Sequence, residues 1–273
     1  MSASSTAVPP VAVVTGSSSG IGRATAIALS RRGYAVVLHA RNNLVGLQAV
    51  AAELQSAGSA SNGPVLCPVL CLTGDIACPH ACHDIVAAAF GWQGRVDAWV
   101  NNAGADVLTG NAPQQSFADR LQRLWEVDVQ GTVRLSRSIA PRMLSQPPRN
   151  VVSPALPCIV NLGWDQAQSG MEGEPGQLFG TTKAAVAAFT MSLALSYPGI
   201  RVNCVAPGWI QTEWGQTSAS GYWAQRAADE SLQQRWGTAD DVAHAIAWLV
   251  SDASGFVNAQ TIAVNGGRRY YPH

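Results

Sequence analysis

The sequence predicts an α/β protein, a doubly wound parallel sheet folded as a single domain, and three observations lead to that fold class. Short β-branched runs alternate with helical patterns along most of the 273 residues, an order that calls for parallel strands joined by crossover helices. The first run, Val11-Ala-Val-Val-Thr15, breaks into Gly16-Ser-Ser-Ser-Gly-Ile-Gly22 and opens a helix, the arrangement of a Rossmann-type nucleotide cradle. An apolar content of 47% over this length fills one sizeable core without a second domain.

In chain order the expected elements are strand 11–15, helix 21–32, strand 35–39, a helix near Leu44–Ala57, strand 65–72, a helix near 82–92 and strand Ala98–Asn101. Helical patterns from 116 to 128 and on to 143 follow, then strand Cys158–Leu162, a long helix from about 180 to 196, and strand 201–205. A helix near Ala239–Leu249 and the short strand Thr261–Val264 close the sheet. The stretches 59–64 and 147–157 read as surface loops. Residues 1–10 read as a flexible tail, because they lack the basic start and apolar core of a signal peptide. The formal net charge is zero and no basic run occurs, so nucleic acid and anionic membrane have nothing to grip. No apolar run is expected to reach membrane-spanning length. The expected setting is cytoplasmic, with reduced cysteines.

The glycine-rich turn supplies specific geometry. Gly16 lets the chain turn sharply as it leaves the strand, Gly20 removes the Cβ that would hold a pyrophosphate away, and Gly22 allows close helix–strand packing. Ser18, Ser19, Gly20 and Ile21 then lie where the unpaired N–H groups of the helix meet phosphate. An acidic residue at the end of the second strand would accept bonds from an adenosine ribose, but that place holds Ala40, followed by Arg41. A guanidinium pairs with a 2′-phosphate, so the sequence favours NADP(H) over NAD(H); the plainer alternative is a solvated turn arginine. Asp75, past the third strand, either accepts an adenine amine or caps the next helix.

Further marks are Asn101-Asn-Ala-Gly104, Lys183 on its helix, Arg201-Val-Asn-Cys-Val-Ala-Pro-Gly208 and Val264-Asn-Gly-Gly267. With them the chain resembles the short-chain dehydrogenase/reductase superfamily from Val11 to about Gly267. The resemblance implies a nicotinamide dinucleotide, with Asn102, Ala103 and Gly104 among its contacts and its nicotinamide facing Pro207-Gly-Trp-Ile-Gln-Thr212. There Pro207 and Gly208 would line the ring, Ile210 would give backbone contact with the carboxamide, and Thr212 would place a hydroxyl near the phosphates. It also implies a homodimer or homotetramer formed through the helices around Asp128 and Lys183.

At the catalytic positions the chain departs from the family, whose members carry Asn, Ser, Tyr and Lys. The family's Tyr-x-x-x-Lys is written here Phe179-Gly-Thr-Thr-Lys183, so only the lysine survives, and it is the single lysine of the chain. The family's helix asparagine matches Asp128, and its serine matches Trp164. Phenylalanine has no proton to give, and positioned acid catalysis contributes roughly 10²–10⁴ in rate. Lys183 would still fasten the ribose, while Asp128 either takes part in the site or repeats the asparagine's structural bond.

The loop 163–176 carries Asp165, Glu172 and Glu174. Asp165 is the first candidate for a replacement acid, since a carboxyl half-buried among aromatic walls can have its pKa raised; the alternative for all three is a loop carboxylate capping a turn. Pteridine reductases, to which the chain is more weakly similar, carry an aspartate in the serine's place. Residues 209–236 form the expected lid, with Trp209, Trp214, Tyr222, Trp223, Arg226, Arg235 and Trp236. These suit a planar heteroaromatic substrate or, equally, pack the lid onto the body. Cys67, Cys71, Cys78, His80, Cys82 and His83 crowd one region, but their spacing lacks paired Cys-x-x-Cys and no metal is expected. The expected activity is hydride transfer to or from a small molecule, with a C=N acceptor suiting the missing tyrosine; a dinucleotide-binding sensor or scaffold, or a non-redox enzyme, are the alternatives.

Overall fold

In the computed structural model the described residues are 9–57, 67–149, 156–211 and 221–268. The strands are β1 (Val11–Val14), β2 (Ala35–Ala40), β3 (Val69–Thr73), β4 (Ala98–Asn101), β5 (Cys158–Leu162), β6 (Arg201–Pro207) and β7 (Thr261–Val264). They pair in the order β3-β2-β1-β4-β5-β6-β7, and every pairing is parallel. The order reverses between β1 and β4, so the crevice at their carboxyl ends is the place where such a sheet receives a ligand.

Alternating side chains divide the core between the two faces. Ala12 and Val14 point to one side with Val36, Leu38, Val100 and Val160. There α1 (Gly20–Ser30), α2 (Leu44–Ala57) and α8 (Ala239–Leu249) bury Leu29, Leu47 and Ile246. Val11, Val13, Val37 and Trp99 point to the other side, against α3 (Pro79–Gln93), α5 (Thr132–Ser145) and α6 (Gly173–Ser196). All four residues of β1 are buried, and the β-strand period of two shows in the alternate faces they pack on. Thr238 and Asp241 form a capping box at the start of α8, which satisfies orphan N–H groups at that end.

Three local features differ from the sequence expectation. α6 begins at Gly173, well before 180, because Gly173, Pro175 and Gly176 occupy a first turn whose N–H groups have no helical acceptor in any case. α4 (Phe117–Leu124) and α5 are joined by a π-helical stretch, Trp125–Gly131, so the helical pattern runs through with a wider turn. α6 is, by length and composition, the one helix among the described residues able to cross a membrane. It is nonetheless packed against the sheet, burying Leu193 and Ala194 in the core and carrying an ion-paired Lys183 midway. α7 (Gly221–Glu230) lies past β6 in the expected lid. The expected tail and parts of both expected loops lie outside the described residues.

Candidate active site

The glycine turn is tied to the end of β4 before any ligand is considered. Thr15 Oγ1 accepts from the N–H groups of Asn102 and Ala103, each at 3.0 Å. The Asn102 side chain donates to the carbonyls of Thr15 at 2.9 Å and Gly16 at 3.1 Å. Gly16 has φ +66°, and a Cβ on Gly22 would lie 2.2 Å from the Gly16 carbonyl oxygen. Both positions therefore require glycine.

This turn forms one wall of a cleft of about 680 Å³. Gly16, Ser18, Ser19, Gly20 and Ile21 line it, as do Arg41, Asp75, Asn102, Ala103 and Gly104, so most of the cofactor residues expected from the sequence share one cavity. Two groups there gave no decisive sequence signal. Arg123 reaches across from α4, and its Nη2 donates to Asp75 Oδ2 at 3.0 Å. His39, 1% exposed, donates from Nε2 to the Gly74 carbonyl at 3.0 Å, while its buried Nδ1 has no partner among the described residues. Burial holds the imidazole below its ordinary value. Asp75 Oδ1 also accepts from the Ala77 N–H at 2.9 Å. Burial acts to raise this carboxyl, but the Ala77 amide and the Arg123 guanidinium outweigh it and hold the group below the ordinary carboxylate range.

Phe179 lines the same cleft. Its ring meets that of Trp164 edge to face, with centroids 6.4 Å apart and planes at 69°, and Phe179 rests beside the small apolar cluster of Val107, Leu124 and Leu178. The two positions that would offer hydroxyls in the family thus meet as one aromatic wall.

Lys183 follows Phe179 by about one turn of α6. Its Nζ lies 2.9 Å from Asp128 Oδ2, with side-chain exposures of 15% and 2%, and donates to the Leu162 carbonyl at 3.2 Å. Asp128 Oδ1 accepts from the Ala105 N–H at 2.8 Å. The π-helical turn carries Asp128, and a Cβ on Gly104 would lie 3.1 Å from its Oδ2. With two ammonium protons given to Asp128 and Leu162, a third is left for another acceptor. Beneath the pair, Asn101 Nδ2 donates to Asn161 Oδ1 at 2.8 Å and Asn161 Nδ2 to Thr190 at 2.9 Å, a buried network fixing β4, β5 and α6 together.

The carboxylates of the following loop lie elsewhere. Trp164 is extended (φ −155°, ψ 137°), so Asp165 faces the opposite side of the chain. Its Oδ2 accepts from Asn265 Nδ2 at 3.0 Å, and it packs against Gly208 in a small cavity with Glu230 and Arg268. Burial pushes this carboxyl above the ordinary range and Glu230 adds to the effect, against the opposing Asn265 and Arg268. Asp165 is thus not among the residues lining the larger cleft; it stands against Gly208, in the segment expected to face the nicotinamide. Glu172 is engaged by Arg226 and Glu174 by Arg120.

Of the two roles expected for Trp209, facing a substrate or packing the lid, its contacts are those of packing within the lid. Its Nε1 donates to Glu230 at 2.8 Å, and its ring centroid lies 5.4 Å from that of Trp223 and 6.1 Å from that of Trp236. The Arg226 guanidinium caps Trp209 and Trp223. Ile210 pairs with Gly237 through the Gly237 N–H to Trp209 and the Gln211 N–H to Gly237, each at 2.8 Å. That pairing turns the N–H and C=O of Ile210 to the other side of the chain. The Gly208 N–H is held by Val264 at 3.0 Å, which fixes the Pro207–Gly208 exit from β6. Thr212 and Trp214 lie outside the described residues. Cys67 and Cys82 give their thiols to the carbonyls of Ser30 and Ile76, and among the described residues no group of three or more side chains could hold a metal ion.

A family model described as enoyl-(acyl carrier protein) reductase matches residues 16–269. The chain belongs to the short-chain dehydrogenase/reductase family. It is 32% identical to the uncharacterized oxidoreductase YgfF of Escherichia coli (strain K12), over 94% of this chain and 99% of that one. A short-chain dehydrogenase from Burkholderia cenocepacia J2315 in complex with NADP superposes with a TM-score of 0.78 at 27% identity, over 94% of this chain and 97% of that one. A 7α-hydroxysteroid dehydrogenase complexed with NADH and 7-oxo glycochenodeoxycholic acid does so with a TM-score of 0.81 at 25% identity, covering 95% and 94%. The family is thus one of oxidoreductases that use nicotinamide cofactors, and relatives with either phosphorylation state share this fold.

Proposed function

We propose that this protein is an NADP(H)-dependent oxidoreductase that reduces a planar, conjugated C=N substrate without a phenolic acid. The observation that carries the reading is Phe179 lining the same cleft as the glycine turn while its ring packs on Trp164. A dinucleotide reading of the cleft is supported by Ser18, Ser19, Gly20 and Ile21, which line it at the start of α1, where unpaired helix N–H groups can meet phosphate. Arg41 lines the end where an adenosine 2′-phosphate would sit, which supports NADP(H) over NAD(H).

When bound, the nicotinamide supplies hydride to carbon. The residues do the rest. Lys183, positioned by Asp128 and Leu162, binds the nicotinamide ribose through its remaining N–H. Ile210 presents its backbone to the carboxamide. Phe179 and Trp164 exclude water from one face of the substrate and orient a flat ring, and the substrate nitrogen takes its proton from solvent, which a C=N group accepts before hydride arrives more readily than a ketone does. Asp165 stays on the Asn265 side as a positioning residue for Gly208. The outer face of α6, with Met191 and Leu195 exposed, suits assembly as a cytoplasmic homodimer or homotetramer.

The test is NADPH consumption with cyclic imines, pterins and ketones. The wild type is expected to reduce the imines or pterins and not the ketones, and Phe179→Tyr to gain ketone reduction within the roughly 10²–10⁴ range of positioned acid catalysis. Ketone reduction by the wild type at the variant's rate would overturn the proposal. NADPH binding without turnover on any acceptor would instead favour a dinucleotide-binding sensor, a second reading supported by the loss of both hydroxyl positions to Trp164 and Phe179.

A further inference from the structure

Arg123 and Asp75 meet across the cleft from elements 48 residues apart. With side-chain exposures of 30% and 35%, such a pair contributes little to stability. Its position is more informative than its strength. Both residues line the cleft, together with Arg41, Ile76, Leu108 and Val127, and Arg41 and Asp75 follow closely on the ends of β2 and β3. Asp75 is held twice, by the Ala77 N–H at Oδ1 and by Arg123 at Oδ2. Each carboxylate oxygen keeps a further lone pair, so the group is oriented to accept from an amine in the cleft. Arg123 uses Nη2 for this contact and has a flat cationic face left, the shape that stacks on an aromatic ring. Ile76, Leu108 and Val127 add apolar walls to the same space.

We propose that Arg123 is a cofactor-binding residue: its guanidinium lies against the plane of the adenine base and fixes Asp75 to accept from the exocyclic amine. The inference rests on the dinucleotide reading of the cleft and names a residue of α4, outside the glycine turn, as a determinant of the base. It makes the base, and not only the phosphates, a source of affinity.

Fluorescence titration tests it with three probes: NADPH, its hypoxanthine analogue, which has a carbonyl in place of the amine, and reduced nicotinamide mononucleotide, which lacks adenosine. Wild type is expected to bind NADPH about tenfold more tightly than the hypoxanthine analogue, because a site built for an N–H donor is left unpaired by the analogue. Arg123→Met is expected to weaken NADPH about tenfold and to shrink that preference, while binding of the mononucleotide and the melting temperature stay unchanged. NADPH affinity in Arg123→Met within about twofold of wild type overturns this proposal alone. Failure of wild type to bind NADPH and NADH alike overturns the dinucleotide reading, and this inference with it.

Discussion

Removing the Asp128 carboxylate is the most direct trial of the site's internal architecture. In Asp128→Ala the Lys183 ammonium, 15% exposed, keeps only the Leu162 carbonyl, and the Ala105 N–H loses its acceptor. Breaking a buried ion pair from one side costs about 3–5 kcal/mol, and the stranded amide belongs to the same cluster, so the two losses do not add in full. For a domain of this size each kcal/mol moves the melting temperature by about 2–4 °C, so the variant should melt roughly 6–20 °C lower. Urea unfolding should show the midpoint shift at unchanged m, the sign of lost stability and not of a changed denatured state. Asp128→Asn keeps an oxygen for Ala105 and should lose about a third as much. Asp128→Leu combined with Lys183→Met should cost less than the two single changes summed. An Asp128→Ala protein melting within about 2 °C of wild type, or strict additivity in that cycle, would refute the claim that the pair is buried and coupled.

Three further outcomes are expected. Gly22→Ala places a Cβ 2.2 Å from the Gly16 carbonyl oxygen; it should abolish dinucleotide binding and lower stability by about 1–3 kcal/mol, seen by titration and thermal melting. Asp165→Asn tests the raised carboxyl: because the folded state favours the protonated form, the wild-type group favours folding below its ordinary value of 3.8 and loses that contribution as pH rises through the elevated folded value. The variant's melting temperature should therefore gain on wild type from acid toward neutral pH, and a difference independent of pH would count against the burial of Asp165. Arg41→Ala should weaken NADPH about tenfold or more and leave NADH nearly unchanged; equal losses would remove Arg41 from 2′-phosphate recognition.

What could be read from the chain alone was whatever depends on short spacing. The glycine turn and the four-residue interval from Phe179 to Lys183 are local patterns, and the strands showed themselves by β-branched runs bounded by turn residues. Contacts between distant segments carried no such signature. Nothing in the order of residues says that Asp128 meets Lys183 or that Arg123 reaches Asp75, since each pair is brought together only when helices pack on the sheet. The direction of Asp165 was hidden for a simpler reason: one extended residue, Trp164, reverses the side its neighbour faces. The early start of α6 was obscured because Gly173, Pro175 and Gly176 weaken a helix interior yet are tolerated in its first turn. Trp209, Trp223 and Trp236 offered flat faces to any partner, and the lid's own rings and Arg226 proved to be among those partners.

The wide turn at Trp125–Gly131 has a bearing on how this chain could evolve. A turn of this kind takes in one residue more than the α-helical turn it replaces, so excising a single residue there would restore regular winding while α4 and α5 keep their directions. A one-codon deletion in this segment would thus spare the rim that holds Arg123 and fall on the turn that carries Asp128 to Lys183.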